Sequence, residues 1–314
     1  WIESDGAMGG QAQIEVDGGR GRHRPQRDRP VIKPILNDEA LLADIRTASR
    51  NDHHFRMWWL GQSGFLLQWK GAHLLFDPYL SDSLTKKYAD TDKPHVRMTE
   101  IPVDPGRLTF IDVCTSSHNH TDHLDAETLN PLRQANPGMK FIIPEANRAF
   151  VAERLGCDPA WPIGMNDGES TTIGPFHVTA VPAAHEQIER DEHGRSKHLG
   201  YVVKFGSWTV YQSGDTMLYD GMTARLRPFR IDLALLPING AVPERRVAGN
   251  LNAQEAAKLG KQIGARLVIP MHYDMFTFNT APASEFADAA KAEGISYRIL
   301  ECGERWSSES LNFK

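Results

Sequence analysis

The chain has 314 residues, 40% hydrophobic and 24% charged, the composition of an ordinary globular protein with ample apolar material for a large core. Its 35 Lys and Arg against 40 Asp and Glu leave a net charge of −5, so no global field draws it to nucleic acid. No apolar run approaches the roughly 20 residues that span a bilayer, and the odd, widely spaced Cys114, Cys157 and Cys302 fit a reducing, cytoplasmic compartment better than a disulfide scaffold.

Residues 1–30 read as a solvated arm. Gly9, Gly10, Gly18, Gly19 and Gly21 are interleaved there with Arg20, Arg22, Arg24, Arg27 and Arg29, without apolar periodicity. Residues 1–7 have the character of a tag remnant ahead of Met8. Residues 31–314 are expected to form one domain. Asn37-Asp38-Glu39 before Ala40-Leu41-Leu42-Ala43-Asp44-Ile45 predicts a capped helix. Strand-like runs follow at Arg56–Leu60, Phe65–Trp69 and His73–Phe76, separated by small turn residues as in an antiparallel meander. Further strands are predicted at Phe110–Thr115, Lys140–Ile143, Thr171–Ile173, His177–Val181, Leu199–Phe205, Trp208–Gln212, Leu233–Pro237, Leu267–Ile269 and Tyr297–Leu300. Asn252-Ala-Gln-Glu255 is a capping box opening Ala253–Ile263 before Gly264, while Pro282 at the first helical position and Gly294 bracket Ala283–Glu293. Two batches of strands, each followed by helices, predict an α+β fold of two sheets packed face to face with helices outside.

Histidine placement carries the chemistry. Ser117-His118-Asn119-His120-Thr121-Asp122-His123-Leu124-Asp125 follows an apolar run, where a buried strand presents a loop. The His118-x-His120 spacing puts two imidazoles on one side of an extended segment, and Asp122 and His123 at the turn into the next helix can face a second centre. Imidazole and carboxylate together suit a divalent transition metal. Further ligand candidates each close a strand: His185 after His177–Val181, Asp215 in a Gly214-Asp215-Thr216 turn that could bridge two cations, and His272 after Leu267-Val-Ile-Pro-Met271. Of the other histidines, His95 and His198 stay open as candidates, and the rest read as structural or exposed.

With these motifs in this order, residues 55–302 resemble the metallo-β-lactamase-fold hydrolases: Asp77 of Phe76-Asp77-Pro78, then His118/His120/Asp122/His123, His185, Asp215 and His272. The resemblance implies a four-layer αββα sandwich of two mixed sheets, with a binuclear site at one edge. It implies that His118, His120 and His185 hold one metal, that Asp122, His123 and His272 hold the other, that Asp215 bridges them, and that Asp77 orients the ligand loop. Trp59-Leu60-Gly61-Gln62-Ser63-Gly64-Phe65, Tyr211-Gln-Ser-Gly-Asp-Thr216, Leu236-Pro-Ile-Asn-Gly240 and Val268-Ile-Pro-Met-His272 look most like the L-ascorbate-6-phosphate lactonase branch. The N-acyl-phosphatidylethanolamine phospholipase D branch shares the His motif, but Gln62 stands where that branch often has His. His120, where oxygen-reducing di-iron relatives place Glu, and Asp215, where many true β-lactamases have Cys, argue against those activities.

The expected activity is metal-dependent hydrolysis through a bridging hydroxide generated by two divalent ions, manganese or zinc. Asp122 would orient the hydroxide and pass a proton, and Asp215 would act with it in catalysis. The first reading is a lactonase for a sugar-acid or phosphorylated lactone. A phosphodiesterase or phospholipase-type hydrolase comes second, and a catalytically silent metal-containing binding protein third. The expected partner is a small anionic substrate, with no nucleic acid and no membrane span; a homo-oligomer is left open. Tyr79, Tyr273, Arg245, Arg246 and Asn250 are the candidate substrate contacts, set by their place after Asp77, after His272 and in the loop following Leu233–Pro237.

Overall fold

The computed structural model describes residues 31–48 and 53–311, so the expected arm and its boundary at residue 30 lie outside the described residues. Helix α1 (Asp38–Ala48) precedes a meander of β1 (Arg56–Trp59), β2 (Phe65–Trp69) and β3 (Ala72–Phe76). The short α2 (Ser83–Lys87) leads towards β4 (Val113–Thr115), α3 (Ala126–Ala135), β5 (Lys140–Pro144), α4 (Arg148–Leu155) and β6 (Ile163–Met165). A second batch follows with β7 (Ser170–Ile173), β8 (Phe176–Pro182), β9 (Leu199–Phe205), β10 (Trp208–Gln212), α5 (Met222–Leu226), β11 (Leu233–Pro237), α6 (Ala253–Ile263), β12 (Leu267–Met271), α7 (Ala283–Glu293) and β13 (Arg305–Ser307).

Two mixed sheets result, in the orders β13-β1-β2-β3-β4-β5-β6 and β12-β11-β10-β9-β8-β7. Each combines an antiparallel meander with strands added in parallel: β3 to β6 in the first sheet, β10 to β12 in the second. Helices cover the sheets, as the alternation of side chains requires. Met57, Trp59, Phe65, Leu67, Leu74, Phe76 and Ile142 point into the core between the sheets. Their neighbours Trp58, Leu66, Leu75, Phe141 and Ile143 face the other way and pack with Leu41, Ile45, Leu129, Leu132 and Val151 of α1, α3 and α4. Such strands are apolar on both faces, which is why they stand out in the sequence. On the second sheet α6 approaches β12 closely, because a Cβ on Gly260 would lie 2.5 Å from Val268 Cγ2. The Asn252–Glu255 capping box forms as expected.

Three expectations need correction, and two strands were not foreseen. Phe110–Asp112 is loop, since the Asp112 carboxylate accepts the His73 backbone N–H. Tyr297–Leu300 is no strand: Tyr297 bridges Val268 alone, and the Leu300 N–H and carbonyl are both taken by the Tyr273 hydroxyl. Pro282 is the N-cap of α7 rather than its first helical residue. The three-residue edge strands β6 and β13, too short to show a period, complete the first sheet.

The two sheets are joined where the histidine motif begins. The Leu199 N–H donates to the Ser117 carbonyl at 2.9 Å, and the buried Tyr201 hydroxyl donates to the Ser116 carbonyl at 2.9 Å. Tyr201→Phe is expected to destabilise the protein by about 1–3 kcal/mol, the cost of leaving a buried acceptor unpaired. Denaturant unfolding measures this, and an unchanged midpoint would remove this bond from the account of how the loop is held.

Candidate metal centre

Every predicted ligand follows the carboxyl end of a strand: the His118–His123 segment after β4, His185 after β8, Asp215 after β10 and His272 after β12, with Asp77, expected to orient the ligand loop, after β3. The topology brings these ends to one edge of the sandwich, the usual location of sites in sheets with parallel strands. Three groups of side chains then place their ligand atoms within 4.8 Å of one another: His118, His120 and His185; His118, His123 and Asp215; Asp122, His123 and His272. His118 and His123 link the groups into one cluster.

Neighbouring groups fix which ring nitrogen faces inward. His185 Nδ1 lies 2.7 Å from the Gly249 carbonyl, which turns its Nε2 toward His120 Nδ1 at 3.2 Å. His118 Nδ1 meets Ser117 Oγ at 3.0 Å. His123 Nδ1 lies 2.8 Å from Asp77 Oδ2. Asp77 has the place expected of it: its carboxylate also accepts the Ser117 N–H at 3.1 Å and the Thr115 hydroxyl at 2.7 Å, fixing the start of the motif. Gly214 sets the opposite side. Its φ is +61°, and a Cβ there would lie 2.7 Å from the Leu199 carbonyl and 2.8 Å from Ser117 Cβ, so only glycine lets Asp215 approach the motif this closely.

The donor set fits divalent ions. His118 Nε2 is buried and makes no hydrogen bond, a costly arrangement for a polar atom that nothing coordinates, and the buried His123 Nε2 and Asp215 Oδ1 converge beside it at 3.2 Å from each other. Nitrogen and oxygen donors without sulfur suit manganese, iron or zinc.

A family model described as a beta-lactamase superfamily domain matches residues 73–273. The UPF0173 metal-dependent hydrolase of Archaeoglobus fulgidus is 30% identical over 254 residues, covering 79% of this chain and 96% of its own. The chain belongs to the metallo-β-lactamase superfamily. It is a metal-dependent hydrolase of that superfamily. Among solved structures, a metallo hydrolase from Ignicoccus hospitalis shares the fold at a TM-score of 0.60 and 22% identity, covering 83% of this chain and all of the other. The metallo-beta-lactamase fold protein YhfI from Bacillus subtilis does so at 0.57 and 19%, covering 81% and 99%.

In this hydrolase a cleft of about 310 Å³ opens onto His120, Asp122, His185, Asp215 and His272. Lys87, Lys93, Arg154 and Arg246 stand in its lining beside Leu84, Tyr88, His95, Val247 and Phe276. The Lys87 ammonium lies over the Tyr88 ring at 5.2 Å, without a carboxylate partner among the described residues. Arg246 pairs with Asp92, Lys93 donates to the Arg246 carbonyl at 2.5 Å, and Arg154 braces the motif loop through the Asn119 and Leu124 carbonyls.

Of the predicted substrate contacts, only Arg246 lines this cleft. Tyr79 is buried with its hydroxyl accepting the Leu84 N–H, and Tyr273 stacks on Trp59 at 4.4 Å with its hydroxyl on Leu300. Each follows a ligand-bearing turn, and the adjacent position there points away from the site. Arg245 is held by the Asn239 and Thr280 carbonyls and Asn279. Asn250 is buried and donates to Asp215 Oδ2 at 3.0 Å, so it supports a ligand. His95 lines the cleft, and the His198 ring lies 5.1 Å from that of His118. Gln62, singled out in the sequence only as a departure from a family pattern, reaches Asp122 and His272. Its signal was a polar residue in a Gly-rich turn between two apolar strands.

The imidazoles of the cluster differ in charge. Burial holds His118 well below the ordinary imidazole range, reinforced by His123 and His120. Burial also opposes charge on His272, but Asp215 and Asp122 outweigh it and raise the group to about 9. His123 is likewise raised, burial being overcome by Asp215, Asp122 and Asp77. Below about pH 9 the metal-free His272 therefore carries a proton that an ion has to displace. Loading with manganese or zinc at pH 7.5 is expected to release protons, and affinity should fall as pH drops, by roughly tenfold per unit for each proton displaced. Calorimetry in buffers of different ionisation enthalpy reads the release directly; ion uptake without protons would contradict this charge assignment.

Proposed function

We propose that this hydrolase is a lactonase that opens a sugar-acid or phosphorylated lactone, working with two divalent ions, manganese or zinc. His118, His120 and His185 would hold one ion and Asp122, His123 and His272 the other, with Asp215 between them. Bound there, such a pair supplies Lewis-acid polarisation of a carbonyl oxygen and a water acidic enough to attack at neutral pH.

The observation that carries this reading is the composition of the cleft. Its volume of about 310 Å³ suits a small molecule. The cations Lys87, Lys93 and Arg246 among its lining residues suit an anionic group on that molecule. Among the described residues the carboxylates in the lining are Asp122 and Asp215, both of the ligand cluster. A lactone suits this arrangement, because the alkoxide freed when its acyl C–O bond breaks stays attached through the ring chain and can take its proton in place. The Asp122 side chain is 16% exposed whereas that of Asp215 is 4% exposed, so Asp122 is the group placed to take a proton from the attacking water and hand it to the alkoxide. Arg154 keeps the loop bearing His120 and Asp122 in register through its two carbonyl contacts.

A phosphodiesterase is the second reading, favoured by the same cations. Hydrolysis of lactones and phosphodiesters by the manganese- and zinc-loaded protein separates the two. Lactone turnover is expected, with a loss of at least about 100-fold in His120→Ala. Lys87→Ala should raise KM for an anionic lactone by about tenfold and leave a neutral one little changed. Turnover of phosphodiesters alone would replace the first reading by the second. No turnover of either class by the ion-loaded protein would favour a binding role.

A further inference from the structure

The second half of the centre contains a contact that its ligand set does not require. Gln62 lies in the turn between β1 and β2, is 1% exposed, and has a φ of +50°. His272 faces it with a φ of +68°. The left-handed region is uncommon for such side chains, and persists only where surrounding contacts over-determine it. Here they do: the Gln62 carbonyl accepts the His272 backbone N–H at 3.1 Å and the Trp59 indole N–H at 3.0 Å.

The Gln62 side chain completes the clasp. Its Nε2 donates to Asp122 Oδ2 at 2.7 Å and packs against the His272 ring, 3.0 Å from Nε2 and 3.3 Å from Nδ1. An ionised carboxylate only accepts, so the amide has to present its N–H side here and turn Oε1 away. One amide nitrogen thus contacts two of the three side chains of the Asp122–His123–His272 group, whose own Oδ2 and Nε2 atoms stand 3.5 Å apart. No such contact with His118, His120 or His185 exists among the described residues.

We propose that Gln62 is a positioning residue for one ion of the two: it sets the affinity of the Asp122–His123–His272 half of the centre and leaves the three-histidine half alone. Without the amide, Asp122 loses its donor and His272 the group packed against its ring, so both have to be ordered by the incoming ion itself, which weakens binding there. The inference rests on the metal-centre reading above and adds an asymmetry that the ligand set alone does not contain.

The test is a cobalt(II) titration of the full chain followed by visible absorption, together with ion content by mass spectrometry after dialysis. The native protein is expected to bind in two steps. Gln62→Leu removes both N–H groups at similar volume. Gln62→Asn keeps the amide, withdraws it by one methylene, and tolerates the left-handed backbone. In both variants one of the two steps should weaken by about 10–100-fold while the other stays in place and the fold is retained. Gln62→Asn keeps the question open to test if Gln62→Leu does not fold. Two native-strength steps in Gln62→Asn, or an equal loss of both steps in a folded variant, would overturn the proposal. No cobalt uptake by the native protein would defeat the metal-centre reading and this inference with it; two native steps retained in the variants would defeat the inference alone.

Discussion

A carboxylate with no access to water must find its hydrogen bonds inside the protein, and Asp77 is such a group at 0% exposure. It finds them in the Ser117 N–H, the Thr115 hydroxyl and the His123 imidazole. Those partners lie at the end of β4 and in the motif that follows it, whereas Asp77 itself ends β3. One buried charge therefore ties two parallel strands together at their carboxyl ends and orients a ligand ring in the same act. Unpaired burial of that charge is too costly to tolerate, so the loop has little freedom to go elsewhere. The positions of His118, His120 and Asp122 follow from where this anchoring leaves the chain.

The second sheet meets that loop on equally restrictive terms. Leu199 and Tyr201 of β9 bond the Ser117 and Ser116 carbonyls, and Gly214 packs against Ser117 so that Asp215 can reach His123. Backbone in the left-handed region at Gln62, Asp77 and His272 concentrates on the Asp122–His123–His272 side. Such conformations cost of order 1–3 kcal/mol each, which the dense hydrogen bonding around them offsets.

How much of this was legible in the sequence depended on how each residue is constrained. Phe65–Trp69, Leu199–Phe205, Trp208–Gln212 and Leu233–Pro237 could be read to the residue because both faces of these strands are buried and turn residues bound them. The capping box at Asn252 and Glu255 is local chemistry and needed no tertiary information. The edge strands β6 and β13 are three residues long and partly exposed, so they carry no pattern to read. All seven candidate ligands were legible as polar residues at the ends of apolar runs, and the fold gathers them. The substrate side was not, because proximity in sequence says nothing of direction: Tyr79 and Tyr273 adjoin the site and turn away from it, while Lys87, Lys93 and Arg154 come from distant segments to line the cleft.

That cleft has an electrical direction. Its rim carries Lys87, Lys93 and Arg246, and its floor carries Asp122 and Asp215 among imidazoles. Metal-free, the floor is balanced by protons held on His123 and His272; loaded, the same carboxylates would balance divalent ions. Two divalent ions would carry more charge than those two carboxylates, so loading would turn the floor net positive, and an anionic group drawn in by the rim would meet no repulsion there.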